Sequence, residues 1–291
     1  MTSAPEPTTG APSFSAEDIR IATELLTQPL DGAVKEIVTL TDEELTALDG
    51  LQRDALTPLP WMSESATDDE GRALLTAAAM RSMIARGIVT TGAVRDPRSD
   101  EDAPADEAVM VAVPELQGTM VLRRTSDAVI IAERRTERGL AYGYFYVFHL
   151  EGTVRVLWEA FDATGFHLFF LLDGDTLAEQ LIAFVDPIEA IGEEDGEPQE
   201  VPAASFGDSE AAARLAQSRA MSTLLVLGRE DTDGPTAFTL FSTPDGVELM
   251  ETAGEGDTAV QRVGAVSRAT LTELIEDLVA AGDGTGADDQ P

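Results

Sequence analysis

Two stretches of the chain share the same order of turns and apolar segments, and this internal repeat constrains the fold more than any other feature. Helical patterns begin at Thr176 and Thr270, and both start with Thr-Leu-x-Glu. The turn glycines before them, Gly152 and Gly246, have the same spacing as the helix starts (246 − 152 = 270 − 176 = 94). Two copies at this spacing favour a duplicated domain over a solenoid. The sequence therefore predicts two related halves, at about residues 116–185 and 218–279.

Each predicted half is an antiparallel meander followed by one helix. Short alternating strands follow the turns, and strands rich in aromatic or β-branched residues precede them. The predicted strands are 119–124, 128–132, 144–150, 154–159 and 165–172 in the first half, and 222–229, 237–242 and 247–251 in the second. The stretch from Tyr144 to Phe148 is apolar on both faces, which predicts a central strand in a sheet that is covered on both sides.

Helices are predicted in front of the first half, because capping patterns at Ser15, Thr41 and Thr67 mark three helix starts. The predicted apolar positions are Leu45, Leu48, Leu51 and Leu56 in the second helix, and Leu74, Leu75, Ala78 and Ile84 in the third, which ends near Gly87. A short strand, 88–91, follows. Three helices and a strand are also the order of a winged helix, so a winged-helix, ligand-sensing transcription factor is an alternative.

The predicted fold class is α+β, with two quasi-symmetric antiparallel sheet-plus-helix subdomains preceded by an N-terminal helical segment. The predicted organisation is a disordered tail (1–13), the N-terminal helices with the first repeat (14–187), an acidic linker (188–204), the second repeat (205–281) and a disordered tail (282–291). The second repeat is predicted to open with a helix over 208–220, and 96–106 is predicted to be an acidic loop.

The charge balance excludes some partners. The chain has 19 basic and 54 acidic residues, a formal net charge of −35, which would repel nucleic acid and an anionic membrane. The sequence shows no transmembrane run and no signal-peptide pattern, and it contains no cysteine, which predicts a protein of the reducing cytosol. Lys35 is the single lysine, and this arginine bias is typical of GC-rich, actinobacteria-like genomes.

Motifs for catalysis or cofactor binding are absent from the sequence. It has no nucleophile elbow, no Walker motif and no dinucleotide-binding glycine pattern, so no catalytic residue, metal or cofactor is predicted. Asp231 to Gly234 resembles the opening of a calcium loop, but Ser242 stands where the bidentate acid belongs, which favours a β-turn. The alternative is an enzyme whose site lies between the halves around His149 and His167, which could meet across the sheet.

An arginine cluster stands out against the acidic background, at Arg123, Arg124, Arg134, Arg135 and Arg138. The tip of a hairpin is predicted at Thr136 to Gly139. One interpretation is a solvated strand edge, because charged side chains protect edges from pairing. The other is a patch for an acidic partner, because arginine forks add specificity to such contacts.

The order of these pieces resembles the EspG family, the cytosolic specificity chaperones of type VII (ESX) secretion. The similar segments are RGIVTTG at 86–92, the close of the first half at 176–187, TPDGV at 243–247 and the run 266–274. The resemblance covers roughly Phe14 to Ala281 and consists of hydrophobic patterns without a catalytic signature. It implies two quasi-symmetric sheet-and-helix subdomains and no enzymatic activity.

The resemblance also implies a partner, since the family keeps helical PE–PPE secretion substrates soluble by covering an apolar tip. By position, the predicted partner-binding residues are Arg134, Arg135, Thr136, Glu137 and Arg138 on the hairpin, and Leu271, Glu273, Leu274, Asp277 and Leu278 on the last helix. Leu271, Leu274, Ile275 and Leu278 also form a stripe at helical spacing that is expected to pack on its own sheet. Contact with a partner is therefore expected on the residues that flank this stripe.

Overall fold

The computed structural model describes residues 14–30, 34–91, 110–228, 236–254 and 258–281, and these residues form both helices and strands. In chain order the elements are α1 (Ala16–Leu26), β1 (Lys35–Thr41), α2 (Asp42–Asp49), α3 (Pro60–Ser65), α4 (Asp69–Ala85), β2 (Val89–Thr91), β3 (Met110–Ala112), α5 (Pro114–Thr125), β4 (Ala128–Thr136), β5 (Gly139–Leu150), β6 (Thr153–Asp162), β7 (Phe166–Asp173), α6 (Gly174–Val185), β8 (Gln199–Pro202), a 3-10 helix (Ala203–Asp208), α7 (Glu210–Leu215), β9 (Ala220–Gly228), β10 (Thr236–Thr243), β11 (Gly246–Ala253), β12 (Val260–Val266) and α8 (Arg268–Ala281).

The predicted α+β class is confirmed by this mixture of helices with a large antiparallel sheet. Four predictions lie outside the described residues: the disordered tails 1–13 and 282–291, the loop 96–106 and the turn at Asp231 to Gly234. The chain divides into two compact units. The helical unit comprises Met1–Gln28, Ile37–Arg124 and Thr164–Leu168, and the sheet unit comprises Pro29–Glu36, Thr125–Ala163 and Phe169–Pro291.

The helical unit begins its helices where the capping patterns predict them. Ser15 and Asp18 form a capping box at α1, and Thr41 and Glu44 form a second one at α2. Asp68, one residue beyond the predicted start, caps α4 by accepting a hydrogen bond from the backbone N–H of Gly71. Gly87 follows α4 in the left-handed region, with φ of 74°, as a helix-ending glycine does.

The buried faces of α2 and α4 differ from the prediction. Gly50, with φ of 88°, ends α2, so Leu51 and Leu56 lie outside the helix and are exposed. In α4 the buried residues are Thr76, Ala79 and Met83, whereas Leu74 is 70% exposed. The predicted face of α4 is therefore wrong. Alanine and methionine stand on several sides of this helix, so its sequence does not mark one apolar stripe.

The segment 119–124, predicted as a strand, belongs to helix α5. Pro114 occupies the start of the helix, where a missing N–H costs nothing. Leu116, Thr119 and Leu122 are buried at helical spacing. The repeat therefore begins at β4, with Ala128, rather than near Leu116.

The sheet unit is built on one sheet whose strand order is β1-β7-β6-β5-β4-β9-β10-β11-β12-β8. Strand pairs β4–β5, β5–β6, β4–β9, β9–β10, β10–β11 and β11–β12 are antiparallel. Strands β4 and β9 pair at the centre, where Ala132 lies opposite Leu224. On one side the order runs β4, β5, β6 and β7, and on the other it runs β9, β10, β11 and β12. Each half thus contributes four strands that follow the same order outward from the β4–β9 pair.

The equivalent elements recur in the same order in the two halves. Helix α6 follows β7 and helix α8 follows β12, each after a meander of strands. The hairpins that pair Leu150 with Thr153 and Thr243 with Gly246 contain the repeated turn glycines. Strand β12 is the counterpart of β7 that the sequence pattern did not reveal.

A single core cluster joins both halves between the sheet and the helices α6 and α8. Phe145 and Leu181 come from the first half, and Leu240 and Ile275 from the second. The aromatic side chains of β5 and β6 stack, with the ring centroids of Phe145 and Trp158 5.4 Å apart. The prediction that β5 is a central strand is confirmed, because it pairs with β4 and β6 and buries residues on both faces.

A second, smaller cluster packs α7 and the 3-10 helix on the opposite face of the second half. It contains Ala211, Leu215 and Val263. The helix predicted over 208–220 is much shorter, since α7 spans Glu210–Leu215 and Ala220 already begins β9. The segment 188–204, predicted as a linker, contains β8, which pairs with β12.

Candidate functional site

The predicted hairpin tip lies between β4 and β5, where Thr136 pairs with Gly139. Glu137 and Arg138 form the turn and are exposed, and Arg135 is also exposed. Arg134 is different, because its Nη1 donates a 2.7 Å hydrogen bond to the carbonyl oxygen of Phe184. Its guanidinium carbon lies 4.8 Å from the centroid of the Phe184 ring. Burial lowers the pKa of Arg134, so this residue belongs largely to the sheet–helix packing.

The predicted arginine cluster is divided by the fold. Arg123 and Arg124 lie on α5 in the helical unit, where both contact the Asp49 carboxylate, and Arg134, Arg135 and Arg138 lie in the sheet unit. The five arginines that are close in sequence are therefore divided between the two units. The difference follows from the helical conformation of 114–125, which the sequence pattern did not predict.

The predicted residues of α8 separate into a buried and an exposed side. Leu271 and Ile275 are buried in the core, and Leu274 and Leu278 pack against it while remaining partly buried. Glu273 and Asp277 are exposed. The apolar stripe of α8 thus packs on its own sheet, as expected. The acidic residues Glu273 and Asp277 lie on the solvent-exposed side of the helix.

A cavity of about 740 Å³ adjoins the C-terminal part of α8. Its walls are formed by the β5–β6 hairpin, the first turns of α6 and the last turns of α8. The lining residues are His149, Leu150, Gly152, Thr153, Val154, Asp173, Gly174, Asp175, Leu177, Ala178, Ile275, Glu276, Val279 and Ala280. We call this space the α6–α8 cavity; its volume lies in the range of small-ligand and side-chain pockets.

Two positions of the α6–α8 cavity are set by close packing and hydrogen bonds. A side chain at Gly174 would bring a Cβ within 2.6 Å of Val154 Cβ, so only glycine fits at the start of α6. The ring Nε2 of His149 lies 3.1 Å from the carbonyl oxygen of Val279 and donates to it, because a carbonyl can only accept. The His149 Nδ1 has no hydrogen-bond partner within the described ranges and lies 3.8 Å from Asp127.

The open rim of the α6–α8 cavity is acidic. Asp173 is paired with Arg155. Asp175 and Glu276 are exposed, and neither side chain has a hydrogen bond or an ion pair within the part of the chain that the structure describes. An apolar floor with uncompensated carboxylates at the rim is suited to a ligand group that is basic and partly apolar, such as an arginine or lysine of a partner.

The two predicted parts of the partner site lie at opposite ends of α6. The hairpin side reaches the C-terminal end of α6, through the contact of Arg134 with Phe184. The last turns of α8 lie near the N-terminal end of α6, since Ala178 and Val279 line the same cavity. A 12-residue helix separates these ends by roughly 18 Å. One partner that contacts both would have to lie along α6.

The two histidines have different surroundings. His167 lies on β7 and His149 on β5, with β6 between these strands in the sheet, so they do not pair across neighbouring strands. His167 and Asp42 are both 0% exposed, and the Nε2 of His167 donates to Oδ1 of Asp42 over 2.8 Å. The backbone N–H of Met62 donates to the second carboxylate oxygen. This buried pair fixes the start of α2 within the helical unit.

No family model matches the chain, and a search of curated proteins finds no match to it. Within the described residues, no group of three or more His, Cys, Asp or Glu side chains is placed to hold a metal ion. The helices in the same part of the chain are all too short or too polar to cross a bilayer.

The sequence reasoning missed the cavity residues Asp175 and Glu276. Neither stands out in a chain with 54 acidic residues, and they come from helices that are a hundred residues apart in sequence (276 − 175 = 101). The repeat itself contained a usable signal. Because α6 and α8 are equivalent helices packed on one sheet face, the first turn of one and the last turn of the other could have been expected to be neighbours.

Proposed function

We propose that this protein is a non-enzymatic, EspG-like chaperone or adaptor that holds a helical protein partner, such as a PE–PPE-like secretion substrate, soluble in the cytosol. The observation that carries the proposal is the α6–α8 cavity, where unpaired carboxylates surround apolar walls beside the predicted partner helix α8. The resemblance to EspG supplies the class of partner.

The partner surface consists of the exposed side of α8 and the cavity rim. Glu273 and Asp277 continue the acidic rim of Glu276 along α8. A helical partner with an apolar tip and a flanking basic residue would place the apolar group against Val154 and Val279, which line the cavity and are partly exposed. Its basic group would lie against Asp175 or Glu276. Such charge complementarity contributes mainly to the rate and specificity of association.

The hairpin tip is a second, separate contact in this proposal. Arg135 and Arg138 are the arginines of the tip to test, because Arg134 packs on Phe184 and its replacement would also disturb the fold. Loss of affinity in an Arg135→Glu, Arg138→Glu variant would place the tip in the contact, whereas unchanged affinity would restrict it to the α8 side.

Affinity capture from the native lysate tests the proposal. The wild type should retain a helical protein in stoichiometric amounts, and an Asp175→Lys, Glu276→Lys variant should lose it. A Glu70→Lys variant is the matched control, since Glu70 is an exposed residue of α4 outside this surface. Equal retention by all three proteins, or no stoichiometric protein at all, would contradict the proposal.

The same preparation distinguishes the alternatives. A co-purified metal or small molecule would favour the enzyme with a site around His149 and His167. A mobility shift of DNA at physiological salt would favour the winged-helix transcription factor, although the net charge of −35 opposes DNA binding.

A further inference from the structure

A second cavity, of about 430 Å³, lies within the helical unit. Its walls come from the end of α2, the segment that leads to α3, and single residues of α4 and α5. The lining residues are Leu45, Thr46, Asp49, Gly50, Leu51, Arg53, Asp54, Ala55, Leu56, Thr57, Pro58, Leu59, Met62, Ser63, Arg72 and Arg123. We call it the arginine cavity, and its size is sufficient for a small organic ligand.

The walls of the arginine cavity combine polar and apolar surface in about equal parts. Met62 and Leu45 are buried at its base, whereas Leu51 and Leu56 remain 43% and 39% exposed. Two leucines at the rim of a concave surface provide apolar area that a ligand can cover. Burying such area is worth about 25 cal/mol per Å².

One arginine of the cavity is fixed in place. The side chain of Arg123 is 1% exposed; its Nη1 lies 3.4 Å from Asp49, and its Nη2 donates to the hydroxyl of Thr57 over 3.0 Å. Asp49 also accepts a 2.6 Å hydrogen bond from Arg124. The Asp49 carboxylate is therefore shared by two guanidinium groups, and Arg123 is held at this wall of the cavity.

Two further arginines of the cavity are available for a ligand. Arg53 and Arg72 line it and are exposed, and neither side chain has a hydrogen bond or an ion pair within the described ranges. The lining also contains Asp54, which is exposed and equally without a partner. The lining thus contains three arginines and two aspartates, in a chain where acidic residues outnumber basic ones by 54 to 19.

We infer that the arginine cavity binds a small amphipathic carboxylate, an apolar chain that ends in a carboxylate group. The apolar chain would lie against Leu51, Leu56 and Met62, and the carboxylate would pair with Arg53 and Arg72. The planar guanidinium group presents paired N–H donors that match a carboxylate, and charge-assisted hydrogen bonds of this kind are the stronger ones. This inference does not depend on the proposed protein partner.

Calorimetric titration of the full chain with octanoate tests the inference. The wild type should bind octanoate with saturation, and octylamine and octanol, which share the chain but lack the carboxylate, should bind more weakly. Neutralisation in an Arg53→Gln, Arg72→Gln variant should weaken octanoate binding by about tenfold, which corresponds to about 1.4 kcal/mol, because it removes both charged donors to the carboxylate.

The matched control is Arg81→Gln, which removes an equally exposed arginine of α4 outside the lining. It should bind octanoate as the wild type does. All substituted residues lie on the surface, so circular dichroism should be unchanged. No saturable binding to the wild type, or equal affinity in the Arg53→Gln, Arg72→Gln variant, would overturn the inference.

Discussion

Helices α6 and α8 begin at equivalent positions in the two halves of the sheet unit. The side chains that precede the two helices make different contacts. Asp173 precedes α6 and Ser267 precedes α8, at the spacing of the repeat (267 − 173 = 94). The hydroxyl of Ser267 accepts a 3.1 Å hydrogen bond from the backbone N–H of Thr270, as an N-cap does. Asp173 makes no such bond, because its carboxylate is paired with Arg155.

The segment between the halves, which contains Asp195, adds further hydrogen bonds at the start of α8. Asp195 accepts hydrogen bonds from the backbone N–H of Ser267 over 2.6 Å and from the hydroxyl of Thr270 over 2.7 Å. The start of α8 is thus covered by this segment, whereas the start of α6 lines the α6–α8 cavity. A repeated backbone arrangement can therefore leave a cavity at the helix start in one half and cover that start in the other, through a few polar residues.

The halves also differ in how each satisfies a buried carboxylate on the sheet. In the first half Glu159, 0% exposed, accepts a 2.8 Å hydrogen bond from the phenol of Tyr146. In the second half Glu248 is held by both Arg214 Nε and Nη2 at 3.0 Å, and Glu248 raises the pKa of Arg214 through these hydrogen bonds. The first half uses an aromatic neighbour, and the second uses a bidentate ion pair.

The largest expected effect tests whether the halves are one cooperative structure. Phe145→Ala should lower the free energy of unfolding by about 3–5 kcal/mol, and Leu240→Ala by about 2–5 kcal/mol, because both residues are fully buried. Since both belong to one core cluster, urea unfolding should show one transition that each variant shifts. Two transitions, each shifted by only one of the two variants, would show that the halves unfold independently. Leu74→Ala, at an exposed residue, is the control and should shift neither transition.

Removing the partner of a buried carboxylate should cost more stability at Glu248 than at Glu159. Arg214→Ala leaves Glu248 without its bidentate partner and should cost about 1–3 kcal/mol, whereas Tyr146→Phe removes one neutral donor and should cost about 0.5–1.5 kcal/mol. Chemical denaturation of the two variants measures the difference. Equal costs would mean that the ion pair contributes no more than the phenol.

Replacing the residue that precedes each helix should again cost more stability in the second half than in the first. Ser267→Ala removes a side chain that caps α8 and should cost about 1 kcal/mol. Asp173→Ala removes no capping bond, so its effect should be smaller. Thermal unfolding of both variants checks the order, and a larger loss for Asp173→Ala would show that its pair with Arg155 matters more than the cap at α8.

The smallest expected effect is a pH dependence of the covered helix start. Hydrogen bonds from the backbone N–H of Ser267, and then from the hydroxyl of Thr270, lower the pKa of Asp195. A carboxyl group with a lowered pKa contributes stability above its ordinary pKa and loses that contribution as the pH falls through the folded value. The stability difference between wild type and Asp195→Ala should therefore shrink below about pH 4. A difference that is constant with pH would contradict this.

Local patterns predicted much of the sheet unit correctly. Strands β4, β5, β6 and β7 and helices α6 and α8 were recognisable because alternation, helical spacing and turn glycines are properties of neighbouring residues. The segment 114–125 was misread because six consecutive residues, 119–124, fit an alternating strand as well as a helix. The short edge strand β8 and the start of β9 at Ala220 also escaped, since their boundaries are set by partner strands.

The candidate sites were less predictable than the fold. Glu273 and Asp277 were placed on the exposed side of α8, which stays a predicted partner surface until binding is measured. Both cavities escaped sequence reasoning, because each is assembled from segments that are distant in sequence, as Asp175 and Glu276 are in one and Arg53 and Arg123 in the other.

The sequence by itself determined the repeated turn and helix, the order from β4 to α6 in the first half, and the direction of the apolar stripe on α8, since these follow from spacing along a short segment. Only the tertiary structure decided that β4 pairs with β9 to join the halves, that Arg123 is buried against Asp49, and that α6 opens on a cavity while α8 is capped. These features depend on contacts between residues far apart in the chain, and such contacts leave no periodic pattern in the sequence.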